Sequence, residues 1–196
     1  MARVSIVLAL LAVLPATASA DWLITPFLGT AFSGETTLLS LDRGGGQKKL
    51  TFGISGALLS DSFLGIEGSV GHTPGFFSGS DPAGLIQSSR VTTVTGSVIV
   101  AAPLSVTRES LRPYLIGGLG LMQARADDKA GIFPIAKDFL AVNLGGGAIG
   151  PLTPRTAVRF ELRHFKAASG ASGPFAREGL SRLSFWLASV GVTLRY

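Results

Sequence analysis

The chain has 196 residues, of which 46% are hydrophobic and only 15% charged, with a formal net charge of +5 and no cysteine. The missing cysteines exclude a disulfide-held scaffold, and cations scattered singly exclude the basic, aromatic-interleaved stripe of a nucleic-acid surface. An apolar, charge-poor chain whose mature part lacks the ~18 consecutive apolar residues of a spanning helix can still enter a membrane, as a closed barrel with every backbone group paired between strands.

The first twenty residues, MARVSIVLALLAVLPATASA, hold one cation at Arg3, an apolar run from Val4 to Leu14 interrupted only by Ser5, the helix breaker Pro15 and a small-residue tail. That run is too short to span, so a secretory signal peptide cleaved between Ala20 and Asp21 is predicted. Removing twenty of 196 residues leaves 176, read as a single domain over 21–196, and the loss of Arg3 lowers the net charge to +4.

Eight strands are predicted in chain order, each about the ~9 to 11 residues that cross a bilayer when tilted: 22–32, 49–59, 62–72, 90–101, 112–124, 139–150, 156–166 and 183–196. The connections after the first, third, fifth and seventh are long and polar or Gly/Pro-rich (33–48, 73–89, 125–138 and 167–182), and those after the second, fourth and sixth are shorter. Alternating long and short loops are what outer loops and periplasmic turns of a membrane meander require. The fold class is therefore all-β, an eight-stranded antiparallel up-and-down transmembrane β-barrel.

The seventh segment, VRFELRHF, alternates strictly: Val158, Phe160 and Leu162 share one face and Arg159, Glu161 and Arg163 the other. In a membrane barrel the charges belong inside. Glu67 in FLGIEGSVG and Arg195 in VTLRY fall on the same inward face, so a lumenal network of Glu67, Arg159, Glu161, Arg163 and Arg195 is expected to plug the barrel. Trp22, Tyr114 and Tyr196 are expected at the periplasmic interface, and Phe32 and Trp186 in the outer girdle.

The last strand, SVGVTLRY, puts Val190, Val192, Leu194 and terminal Tyr196 on one face and Ser189, Gly191, Thr193 and Arg195 on the other. This strand resembles the C-terminal strand of small outer-membrane β-barrels of the OmpA-like type, and RPYLIGGLGL and VRFELRHF look like the fifth and seventh strands of that superfamily. The resemblance implies residence in the bacterial outer membrane, contact with its lipids, and delivery by the barrel-assembly machinery through the strand ending at Tyr196.

Motifs that could carry chemistry fare poorly. The string GGGAIG (145–150) satisfies G-x-G-x-x-G, yet Pro151 and Pro154 follow where a phosphate-binding helix would begin. Gly117, Gly118, Gly120 and Gly145 to Gly147 suit a narrow lumen instead. His72 and His164 fall on the apolar face at headgroup level, and Asp127 and Asp128 read as a solvated turn. FELRHFKAASGASGP looks like the closing strand of lipid A deacylases, in which a His-x-Ser pair follows, but Lys166 and Ala168 occupy those positions and cannot form the dyad. No catalytic residue, cofactor or metal is assigned. The expected role is structural or interactive through four long outer loops, with no ligand named; the alternatives are a deacylase-like hydrolase and a soluble lipocalin-like periplasmic lipid binder.

If the long connections face outwards, cysteines placed at Ser80 and Ser172 will react with a membrane-impermeant thiol reagent on whole cells. Silence at both positions would invert the topology.

Overall fold

An isolated strand leaves every second backbone N–H and C=O on each edge unpaired, and only closure of the sheet removes both edges. The computed structural model, which describes residues 20–35, 48–76, 86–107, 110–128, 135–169 and 183–196, achieves that closure with eight strands. They are β1 (Ala20–Glu35), β2 (Lys49–Ser60), β3 (Leu64–Pro74), β4 (Ile86–Ala101), β5 (Arg112–Asp128), β6 (Ile135–Thr153), β7 (Thr156–Ser169) and β8 (Ser184–Arg195). Each pairs antiparallel with its neighbours in sequence, and β1 meets β8 from Leu23↔Arg195 to Glu35↔Ser184, with a register shift between Phe32 and Glu35. The first nineteen residues of the expected signal peptide, and 36–47, 77–85, 129–134 and 170–182 of the expected loops, lie outside the described residues.

All eight expected strands are present, but several run further. Strand pairing continues through Arg125↔Ala136 and Ala126↔Ile135, so most of the expected loop 125–138 is β5 and β6, and Asp127 and Asp128 end a strand. The expected ends fall where the side chains turn polar, whereas backbone pairing is indifferent to side-chain polarity once the partner strand is in register.

Two kinds of face follow from the period of two. Outside are Leu28, Ile54, Ile66, Val98, Leu119 and Leu162, all exposed. Inside, two buried apolar clusters occupy the two ends of the lumen. The near end, where β1 starts and β8 stops, holds Leu23, Leu59, Ile99, Ile116 and Ile149. The far end holds Val91, Met122, Phe165, Leu183 and Phe185, onto which Phe76 packs edge-on at 5.3 Å from Phe185.

At the near end the connections are tight. Arg112, first residue of β5, donates from Nε to the Ala102 carbonyl (2.7 Å) and from Nη2 to the carbonyls of Ser60 (2.7 Å) and Ser62 (3.2 Å). It thereby ties the β2–β3 turn to the β4–β5 connection, which contains the single turn α1 (Leu104–Thr107).

The expected lumenal glycines divide. Gly118, Gly120, Gly145 and Gly147 face inward, where an added Cβ would collide with backbone. Gly117 and Gly146 fall on the outward parity with Leu115, Leu119 and Leu144, because a run of consecutive glycines must alternate like any other strand residues. At Gly147 a Cβ would lie 2.1 Å from the Phe160 carbonyl and 2.5 Å from the Tyr114 hydroxyl, whereas at outward Gly56 it meets nothing within 4 Å. Gly147→Ala is therefore expected to destabilise the detergent-folded barrel by about 1–3 kcal/mol, as for an overpacked interior, and so to lower its unfolding midpoint. Gly56→Ala is expected to leave it unchanged or higher in the same urea titration.

Candidate functional site

Between the two apolar clusters lies a polar layer. β7 supplies Arg159, Glu161 and Arg163 by its alternation, and β3 supplies Glu67 from the opposite wall, four strands away in the closed order. Side chains of this length meet across the lumen of an eight-stranded barrel, whose interior is only wide enough for side chains to fill.

The four groups close a ring. Arg159 pairs through Nη1 with Glu67 Oε2 and through Nη2 with Glu161 Oε2 (2.6 Å). Arg163 Nη2 reaches Glu67 Oε1 at 2.8 Å and Glu161 Oε1 at 2.7 Å. Each carboxylate oxygen thus accepts from a guanidinium, and two positive and two negative charges cancel. The Glu67 side chain is 0% exposed and that of Glu161 10%. In so dry a place the pairing is compulsory, because an isolated buried charge is far costlier than a matched one.

Tyr114 completes the layer. Arg159 Nε donates to the Tyr114 hydroxyl at 2.6 Å, the hydroxyl donates to Glu161 Oε2 at 2.8 Å, and the guanidinium lies 4.7 Å from the ring centroid. Tyr114, expected in the aromatic belt, is instead buried in the lumen. Arg112 and Ile116 are buried on the same side, with Pro113 and Leu115 exposed between them. Its aromatic identity suggested the interface, but strand parity overrides residue preference, and a buried phenol then needs partners that the ring provides.

Around the ring runs a hydroxyl tier: Ser69 bonds Thr95 (2.7 Å), Thr51 bonds Thr73 (2.8 Å), Thr25 bonds Thr193 (2.9 Å), and Ser97 donates to Asn143 Oδ1 (3.2 Å). Arg163 Nε and Asn143 Nδ2 have no partner within the protein among the described residues. The cavity beside Arg163, bounded also by Glu67, Ser69 and Phe165, measures about 20 Å³. That is the scale of a single water molecule.

Arg195 does not join the ring. It pairs with Asp21, and its Nη2 lies 3.9 Å from Asp61, with its side chain 43% exposed over a vestibule of about 490 Å³ at the near end. It has the inward parity of Thr193 but sits at the mouth, four residues along β8 (195 − 191) from Gly191, the partner of Arg159. Of the other aromatics, Trp22 and Tyr196 are exposed at the near end, joined by reciprocal backbone hydrogen bonds, and Trp186 faces out at the far end opposite Phe32. His72 and His164 also face out: His72 stacks obliquely on Phe52 (5.5 Å) and bonds Thr92 (3.0 Å), and His164 stacks on Trp186 (4.8 Å). Among the described residues no group of three or more His, Cys, Asp or Glu could hold a metal.

A closed eight-stranded antiparallel barrel with an apolar exterior and a charged, filled interior is the architecture of the small outer-membrane β-barrels, and comparison with solved structures agrees. Neisserial surface protein A superposes with a TM-score of 0.67 over 89% of this chain and 97% of its own at 15% identity. Ail, the attachment invasion locus protein of Yersinia pestis, gives 0.57 over 90% and 99% at 14% identity, and OprG from Pseudomonas aeruginosa 0.56 over 91% and 97% at 14%. No protein-family model and no curated protein matches the sequence. At these identities the likeness is one of fold.

Removing one member of the ring should expose the coupling. Glu161→Ala leaves both guanidiniums short of a partner and is expected to lower the stability of the detergent-folded barrel by about 3–5 kcal/mol. Tyr114→Phe should lose about 1–3 kcal/mol. Arg195→Gln, at the wet mouth, should lose no more than about 1 kcal/mol. Equal losses at Glu161 and Arg195 in equilibrium unfolding would contradict the layered arrangement.

Proposed function

We propose that this chain is an exported, non-catalytic β-barrel of the bacterial outer membrane with a structural or surface-interaction role, and that its lumen is closed to bulk solutes. The observation that carries the reading is the layering of the interior: a neutral, mutually bonded ring of Glu67, Arg159, Glu161 and Arg163 between two apolar clusters. A solute crossing the barrel would have to break those pairs and displace both apolar layers.

The same features weigh against the alternatives. Both lumenal carboxylates are engaged by guanidiniums, so neither is poised as a general base. His164 and Lys166 of the deacylase-like stretch project outward. A soluble lipid binder would carry charge on the middle of the outer surface, where here Leu, Ile, Val and Phe are exposed. With the barrel wall filled inside and apolar outside, the long connections at the far end become the surface available to a partner, on the reading that they are extracellular. The C-terminal strand ending at Tyr196 is the segment that the barrel-assembly machinery would recognise.

The test is localisation together with facing. The protein should fractionate with the outer membrane, migrate faster on gels before boiling than after, and show no sustained conductance in planar bilayers. Leu162→Arg, on the outer face, should impair insertion by roughly 2–4 kcal/mol near the bilayer midplane. A detergent-independent soluble protein that tolerates Leu162→Arg would overturn the proposal.

A further inference from the structure

Among the described side chains, the strand cations that point outward are Arg90, Arg125 and Lys166, and all three lie at the far end of the barrel. Two of them are neighbours. Arg90 of β4 and Arg125 of β5 are directly paired across the ladder, both exposed, each flanked in its own strand by buried inward residues (Ser89 and Val91; Ala124). Like charges placed opposite one another on a sheet repel, with side chains about 4.5–5.5 Å apart at Cβ. Neither guanidinium has an ion-pair partner among the described side chains.

The outward row just below does not relieve them. His72, Thr92, Gln123 and Asp138 are in register across β3 to β6, with His72 Nδ1 3.0 Å from the Thr92 hydroxyl and Gln123 Nε2 donating to Asp138 Oδ1 at 2.9 Å. The outward carboxylate of that row thus accepts from an amide, while Asp127, on the outward parity two residues beyond Arg125, has its side chain outside the described ones. Beneath this row the surface is apolar, with Val94, Leu121 and Leu140 exposed side by side.

Height identifies the occupant. Val100 is the last outward apolar residue of β4 at the near end, ten residues from Arg90. At ~3.3 Å per residue and a tilt of ~40°, that separation spans ~25 Å along the membrane normal, the height of the apolar band of such barrels. The arginine pair thus sits where lipid headgroups begin, above a shelf fit for acyl chains. Guanidinium presents a planar fork of donors matched to phosphate oxygens, and two forks side by side suit one dianionic group.

We propose that Arg90 and Arg125 form a clamp for the phosphate of an outer-leaflet lipid, whose acyl chains lie on Val94, Leu121 and Leu140. The clamp rests on the outer-membrane reading above and assigns a ligand class to a surface that reading leaves unassigned.

The folded protein in detergent is incubated with lipid A bearing its phosphates or with the same lipid dephosphorylated, and retained lipid is counted by native mass spectrometry. The native barrel should retain the phosphorylated lipid, and Arg90→Gln with Arg125→Gln should lower its affinity by about tenfold or more. Arg155→Gln, an equal charge loss in the β6–β7 turn at the near end, should leave it unchanged, and inorganic phosphate should not displace it. Equal retention by the native and double-variant barrels, equal retention of the dephosphorylated lipid, or displacement by inorganic phosphate would each overturn the clamp. Heat-modifiable migration of each variant reports the barrel separately, so loss of lipid with the fold intact bears on the clamp alone. If the double variant does not fold, Arg125→Gln alone must weaken binding severalfold, and native affinity in that variant would likewise overturn the clamp.

Discussion

Arg159 is the residue on which the rest of the arrangement hangs. Its guanidinium contacts Glu67 on the opposite wall, Glu161 on its own strand and the hydroxyl of Tyr114 from β5. Three strands are thus referred to one planar group in a place without bulk water to substitute for any of them. Buried ion pairs of this kind add little net stability over well-packed apolar side chains, yet they penalise every arrangement in which one partner is missing. A one-residue slip of β7 would turn Arg159, Glu161 and Arg163 toward lipid and Phe160 and Leu162 into the ring.

That ring fits only because its surroundings give way to it. Glycines occupy the inward positions of β5 and β6 next to the layer, and at Gly145 and Gly147 any Cβ would press on the backbone of β7. Room on this side admits the Tyr114 ring, whose centroid lies 4.7 Å from the Arg159 guanidinium carbon. Above and below, the apolar clusters keep water from competing for the charges, which strengthens each pair and raises the penalty for breaking one. Packing and electrostatics are therefore one design in this lumen.

Neighbours at 14–15% identity share the barrel over nearly their whole length with this chain. What such proteins have in common is an alternation and a closure rule, both imposed by the bilayer, and these tolerate almost any particular residue. Activity in such a fold belongs to whatever is built on the wall or the loops. Here the wall offers two distinct surfaces, an interior layered with a neutral ring of ion pairs and an outer rim on which Arg90 and Arg125 stand side by side.

The sequence by itself determined the number of strands, their approximate extents and the facing of their residues, because alternation with a period of two is a local property of the extended backbone. It sufficed to turn Glu67, Arg159, Glu161 and Arg163 inward and Leu162 outward. It did not suffice for heights or partners. Arg195 shares the inward parity of those four yet lies at the mouth beside Asp21; Tyr114 looked like a belt residue and lies in the ring; Arg125 looked like a loop residue and is paired with Arg90. Each of these depends on how far one strand is shifted against the next around a closed circuit. That stagger is set by closure of all eight strands together, so only the tertiary structure could decide which inward charges meet.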